Sequence, residues 1–252
     1  MRVALLQFDT VWLHREQNIH TIERLLEYVE CDLAVLPEMF STGYSIDASM
    51  VAESSDGPTL HWMQEFSRKH SIALLGTVAV ADKGVAYNRM YMTLPDGTTF
   101  HYNKRHLFTF AGEERTFSPG KERIIVEWQG VRILPLVCYD LRFPVWSYLP
   151  GQVDLVVYSA SWAASRTSAW DTLLAARAVE NQAWVVGVNR IGEDQDHTPY
   201  VGHSAAYDFM GRKMADCSER DVVQVVEIDP SKIAAFRERF RAWQDADKFE
   251  IK

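Results

Sequence analysis

The chain has 252 residues, carries 26 Lys+Arg against 34 Asp+Glu for a net charge of −8, and is 47% hydrophobic, which suits one soluble domain able to bury about three-quarters of its unfolded surface. With 24% charged and 12% aromatic residues it lacks the composition of a disordered chain, and no apolar run nears the roughly 18 residues of a membrane span. The acidic balance without a basic cluster argues against nucleic acid or anionic membrane as partner, and residues 3–6 are too short for a signal-peptide core, so the cytoplasm is the expected location.

A short apolar run at 3–8 predicts a strand, and Ile19, Ile22, Leu25, Leu26 and Val29 at helical spacing predict an amphipathic helix over 16–29. Leu33 to Leu36 reads as a buried strand that stops at Pro37 and ends at Glu38, before a turn-rich segment and a helix over 59–70. Strands at 72–81, 85–94 and 99–103 are separated by Asp82-Lys83-Gly84 and Pro95-Asp96-Gly97, an antiparallel meander. The loop over 104–121 exceeds ordinary connection lengths, and such loops are often functional. The second half predicts strands at 123–128, 131–137, 155–158, 184–188, 205–209 and 222–228, a short helix after Arg142, and helices over 167–181 and from Asp229 through Arg241. Two sheets with helices outside, a layered α/β sandwich, follow. Residues 1–252 read as one domain, and a tail over about 242–252 carrying Trp243 and Phe249 suits a subunit interface.

Three widely spaced cysteines, Cys31, Cys138 and Cys217, form neither a disulfide framework nor a zinc ribbon. Cys138 follows the strand Ile133-Leu134-Pro135-Leu136-Val137 and precedes Tyr139-Asp140-Leu141-Arg142, where the chain is expected to turn into a helix; a strand-to-helix turn points a thiol into the cleft at the carboxyl ends of the strands, with helix amides nearby that favour thiolate and oxyanion. A buried, inert cysteine fits that placement equally well. Glu38 should leave the same sheet edge, as a cap or as a general base of raised pKa. Lys104, at the start of the long loop, is in isolation most simply a surface charge. Together the three are a base, a cation and a nucleophile, and the cation can hold an oxyanion and lower the thiol pKa.

Pro37-Glu38-Met39-Phe40-Ser41-Thr42-Gly43-Tyr44, Tyr102-Asn103-Lys104-Arg105-His106-Leu107-Phe108 and Leu136-Val137-Cys138-Tyr139-Asp140-Leu141-Arg142-Phe143-Pro144 resemble, in order, the three signature blocks of the nitrilase superfamily of carbon–nitrogen hydrolases. The resemblance spans nearly the whole chain. It implies a four-layer α-β-β-α sandwich, a Glu38-Lys104-Cys138 triad, and a second active-site glutamate that is Glu113 or its neighbour Glu114. The blocks look most like the omega-amidase branch, whose members hydrolyse the distal amide of α-ketoglutaramate or α-ketosuccinamate, and family members commonly form homodimers. Other amidases and nitrilases of the superfamily, or a silent binding member, share the same frame; the strand end Tyr158-Ser159-Ala160-Ser161-Trp162 and the variable Gly112-Glu113-Glu114-Arg115 bear on substrate preference.

On that reading Glu38 takes the thiol proton, Cys138 attacks the amide carbon, and Lys104 with a backbone N–H near Tyr139 holds the oxyanion. No step needs a metal or cofactor, and His101 and His106 lack ligand spacing. An α-keto acid carboxylate needs planar donors. Arg142, four residues after Cys138, is the first candidate, with a salt bridge to Asp140 or bonds to helix carbonyls as its structural alternative, and Arg166 is the second. Tyr44 and Trp162 line the pocket or belong to the core. Arg177 and Glu180 read as a buried structural pair.

Overall fold

The computed structural model describes residues 1–251. Strand β1 (Arg2–Gln7) sends Val3 and Leu5 into one apolar cluster and Ala4 and Leu6 into another. Both faces are covered, which is why the run reads as continuously apolar. Helix α1 (Arg15–Leu26) lays Ile22 and Leu26 on the second cluster, and Val29, expected inside the helix, reaches it from beyond the following turn. Next come β2 (Leu33–Val35), a short α2 (Ala48–Val51), β3 (Glu53–Ser54), α3 (Pro58–His70), β4 (Ala73–Asp82), β5 (Val85–Thr93) and β6 (Thr99–Asn103). The second half supplies β7 (Val126–Trp128), β8 (Val131–Val137), α4 (Pro144–Ser147), β9 (Leu155–Ala160), α5 (Thr167–Asn181) and β10 (Trp184–Asn189). A hairpin of β11 (Ile191–Glu193) and β12 (Pro199–Val201) follows, then β13 (Ala205–Tyr207), β14 (Lys213–Asp216), β15 (Val222–Glu227) and α6 (Pro230–Arg239).

One sheet runs β15-β1-β2-β4-β5-β6, with β3 beside β4, and the other runs β14-β13-β10-β9-β8-β7. The central strands β1, β2 and β4 are parallel, as are β8, β9 and β10, and antiparallel strands flank both sets. A shared cluster joins Val3, Leu75 and Met92 of the first sheet to Ile133, Leu134 and Val186 of the second and continues to Trp170 and Leu174 of α5. Ile22, Leu60, Met63 and Phe66 of α1 and α3 cover the outer face of the first sheet. The result is the α/β layering of helix, sheet, sheet and helix.

Several elements differ from the sequence expectation. The strand expected over 123–128 starts at Val126, the one over 205–209 ends at Tyr207, and the last helix ends at Arg239. The hairpin β11–β12 and strand β14 were not anticipated, because short polar strands carry little period-two signal. Cys138 opens not an α-helix but a five-residue 3-10 turn, Cys138–Arg142, with α4 after it. Within the chain, the Trp243 ring packs over Gly151 and Phe249 stacks on Tyr148 with centroids 6.5 Å apart, and both rings stay partly exposed.

Candidate active site

The carboxyl ends of β2 and β9, one from each sheet, are stitched together. Ser159 Oγ donates to Leu36 O at 2.6 Å, the Glu38 amide donates to Ala160 O at 3.2 Å, and the Ser161 amide donates to Glu38 Oε2 at 2.9 Å. Val137, at the end of β8, is registered with Ser159. Glu38 and Cys138, a hundred residues apart in sequence, therefore leave adjoining strand ends into one cleft. Gly76 permits the approach on the first sheet, since a Cβ there would meet Leu36 and Phe40 at 2.9 Å. Met39 and Cys138 both have positive φ, 46° and 43°. That left-handed backbone costs on the order of 1–3 kcal/mol per residue and is retained where the surroundings demand a side-chain direction.

Lys104 follows β6, its amide held by Asn88 O at 2.9 Å. Its Nζ donates to Glu38 Oε1 at 2.8 Å and to Glu113 Oε1 and Oε2 at 3.1 and 2.9 Å, with all three side chains fully buried. Glu113 opens a 3-10 turn, Glu113–Arg115, in the long loop, and Glu114 is exposed. Of the two glutamates the sequence left open, Glu113 is the one in the cluster. Asn88 Nδ2 donates to Glu38 Oε1 at 2.7 Å and to Glu113 Oε1 at 3.2 Å, separating two carboxylates that would otherwise face each other.

The electrostatics follow from burial with one cation between two acids. Burial pushes Glu38 above the ordinary carboxylate range; Lys104 pulls it down and Glu113 pushes it up, leaving it raised. Burial disfavours the Lys104 ammonium, but Glu113 and Glu38 outweigh this and hold it charged well above its usual range. Burial raises the Cys138 thiol, the Glu38 carboxylate adds to the rise, and Lys104 only partly opposes both. This corrects the expectation of a thiol acidified by Lys104 and helix amides: the resting group is a neutral thiol, which needs a base. A 3-10 turn of five residues also offers little helix dipole to a thiolate.

Cys138, Lys104, Tyr44, Tyr139, Arg142, Ser161, Trp162, Phe108 and Arg166 line a narrow cleft. Arg142 lies over the Trp162 ring at 4.9 Å and Arg166 over Phe108 at 5.0 Å. Among the described residues neither guanidinium has a hydrogen-bond or ion-pair partner, so the alternative salt bridge of Arg142 with Asp140 is absent. Asp140 is otherwise engaged. Its Oδ2 accepts from the Val137 amide and Tyr102 Oη at 3.0 and 2.8 Å, and its Oδ1 accepts from the His106 amide at 3.0 Å and contacts His106 Nδ1 at 2.8 Å. It thus ties the Lys104 loop to the Cys138 turn. Arg177 supports the same turn through Leu141 O at 2.7 Å and pairs at 2.9 Å with Glu180, which is half-exposed rather than buried. The Tyr44 hydroxyl is buried without a hydrogen-bond partner among the described residues.

Sequence reasoning missed Asn88, Ser161 and the full role of Asp140. Asp140→Asn should destabilise the fold by about 2–4 kcal/mol, because an NH2 at either oxygen faces existing donors and strands them. The urea midpoint with unchanged slope reads this directly, and an unmoved midpoint would contradict it.

A two-sheet sandwich with a buried thiol beside two carboxylates and an ammonium at its strand ends is the architecture of a carbon–nitrogen hydrolase. Residues 2–238 match the carbon-nitrogen hydrolase family, and the chain belongs to it. It is 43% identical to an omega-amidase YafV of Yersinia enterocolitica, covering 99% of this chain and 98% of that one. It is 32% identical to a 2-oxoglutaramate amidase of Bacillus subtilis, covering 98% and 97%. Among solved structures, XC1258 of Xanthomonas campestris, a carbon–nitrogen hydrolase superfamily protein with an arsenic adduct in its active site, superposes with a TM-score of 0.96 at 39% identity, covering 100% and 99%. Nit3 of Saccharomyces cerevisiae superposes with a TM-score of 0.85 at 27% identity, covering 95% and 94%.

Proposed function

We propose that the protein is an omega-amidase, hydrolysing the distal amide of an α-keto acid monoamide to the dicarboxylate and ammonia. The observation that carries this is the charge of the cleft: beside Cys138, and beyond the Lys104 ammonium that Glu38 and Glu113 hold, it is lined by Arg142 and Arg166, which have no ion-pair partner among the described residues. Such a pocket suits a small anionic amide. The relatives named for omega-amidase and 2-oxoglutaramate amidase activity support the same reading.

Glu38, made more basic by burial, accepts the proton of the Cys138 thiol as sulfur attacks the amide carbon. The oxyanion is held by the Lys104 ammonium and the Tyr139 backbone N–H. Glu38 then protonates the departing nitrogen, ammonia leaves, and a thioester remains. Water, giving its proton to Glu38, attacks the thioester and releases the acid and the thiol. Glu113 holds Lys104 in place and keeps it charged. Arg142 takes the substrate carboxylate with its planar donors, backed by the Trp162 ring, and Tyr44 offers its free hydroxyl. No helix among the described residues is long and apolar enough to cross a membrane; the three free, buried cysteines fit a reducing cytoplasm. The exposed Val179, Met210 and Phe240 suit a homodimer.

The test is ammonia release from α-ketoglutaramate, α-ketosuccinamate, L-glutamine, L-asparagine, a neutral aliphatic amide and a nitrile. The keto acid amides should lead, and preference for the neutral amide or the nitrile would overturn the reading. Arg142→Lys should cost about 2–5 kcal/mol in kcat/KM on the keto acid amides and little on the neutral amide, because an ammonium makes a point contact where a guanidinium is bidentate. Equal losses on both would assign Arg142 to support of the nucleophile turn.

A further inference from the structure

The cleft holds more positive charge than one carboxylate requires. Lys104 is committed to Glu38 and Glu113, but Arg142 and Arg166 both face the substrate space unpaired. Trp162 fixes them relative to each other: its ring carries the Arg142 guanidinium, and its Nε1 donates to the Arg166 carbonyl at 2.8 Å. The Arg166 guanidinium rests on Phe108, whose amide donates to Glu113 Oε2 at 2.6 Å. Two donor forks are thereby locked onto the same framework as the thiol. Each guanidinium carbon sits over an aromatic ring, and among the described residues neither guanidinium has a hydrogen-bond partner.

An α-keto acid presents three acceptor oxygens on two adjacent carbons and no donor, which matches two guanidiniums. The corresponding α-amino acid replaces the keto oxygen with an ammonium. That group would meet a fixed cation and would find no carboxylate among the lining side chains. Unpaired like charges in a desolvated cleft discriminate more strongly than missing contacts do. We infer that Arg166 is a specificity-determining residue, reading the α-keto oxygen beside the carboxylate held by Arg142 and excluding L-glutamine and L-asparagine by repelling their α-ammonium. The inference rests on the omega-amidase reading and extends it to the choice between keto acid and amino acid.

The experiment compares kcat/KM for α-ketoglutaramate, glutaric acid monoamide and L-glutamine in wild type, Arg166→Lys, Arg166→Gln and Arg166→Glu, with circular dichroism as a control of folding. Wild type should prefer α-ketoglutaramate over L-glutamine by about a hundredfold or more. Arg166→Gln should shrink that ratio about tenfold or more, Arg166→Glu should shrink it further by raising the rate on L-glutamine, and Arg166→Lys, which keeps the charge, should preserve most of it. Activity on glutaric acid monoamide, which has neither keto oxygen nor ammonium, should change least. A ratio that is the same in wild type and Arg166→Gln overturns the inference, as does a wild type that accepts L-glutamine as readily as the keto acid amide; in both cases the amidase reading stands. A wild type that cleaves only neutral amides overturns the amidase reading and the inference together. A readout independent of turnover is alkylation of Cys138: Arg166→Gln should lower the rate with iodoacetate relative to iodoacetamide, and an unchanged ratio counts against a charge that reaches the reacting position.

Discussion

Cys138→Ala is expected to lower ammonia release by about four orders of magnitude or more while the protein stays folded. The loss is large because the other groups at the site act only through the sulfur: Glu38 has no proton to take and Lys104 no oxyanion to hold. Folding should survive, since the exchange removes a single heavy atom from a cleft wall and the left-handed backbone at this position burdens alanine no more than cysteine. Cys31→Ala and Cys217→Ala serve as controls and should stay active. Burial pushes their thiols up to about 11 and about 12, with Asp32 and Asp216 adding to the rise, and neither thiol lines the cleft that holds Lys104. Turnover of Cys138→Ala near the wild-type rate, measured with the same substrate panel and matched circular dichroism spectra, would remove the thiol from the mechanism.

The first-sheet strand ending in Glu38 and the second-sheet strand ending in Cys138 were legible because buried parallel strands leave continuous apolar runs, and a polar residue at the end of such a run stands out. Lys104 was harder to place. Its neighbours Asn103, Arg105 and His106 look like a solvated segment, and its burial is tolerable only because Glu38 and Glu113 arrive from 66 residues upstream and 9 residues downstream. Pairing of that kind has no local signature; it came through the resemblance of ordered blocks. The seam between Leu36 to Glu38 and Ser159 to Ser161 was equally invisible, since hydrogen bonds between two sheets obey neither strand nor helix period. Asn88 was missed for the same reason: its role exists only once two carboxylates from other elements close around it.

Lys104→Met should abolish activity and also make stability fall with rising pH more steeply than in the wild type, where burial raises Glu38 and Lys104 opposes the rise. In the wild type the ammonium lies 2.8 Å from Glu38 and 2.9 Å from Glu113, and its pKa is raised. Its stabilising contribution is therefore complete below the ordinary lysine value of about 10.4 and is lost only as pH climbs through the still higher folded value, so it is constant from pH 5 to 8. Without the ammonium, two fully buried carboxylates share Asn88 as common donor, and the folded chain retains protons that the unfolded chain releases near pH 4.3. The folded state then binds more protons than the unfolded state, so stability must fall as pH rises from about 4.3 through the raised folded values. At pH 8, leaving a buried charge unpaired should cost about 3–5 kcal/mol, which for a chain of this size is a drop in Tm of roughly 6–20 °C. Near pH 5 the two proteins should melt closer together. Calorimetric scans at pH 5, 6, 7 and 8 decide it: diverging Tm curves are expected, and parallel curves would mean that solvent reaches the carboxylates and that Lys104 does not neutralise them. Activity should be absent at every pH, because protonating Glu38 or Glu113 restores the charge balance without restoring a donor to the oxyanion.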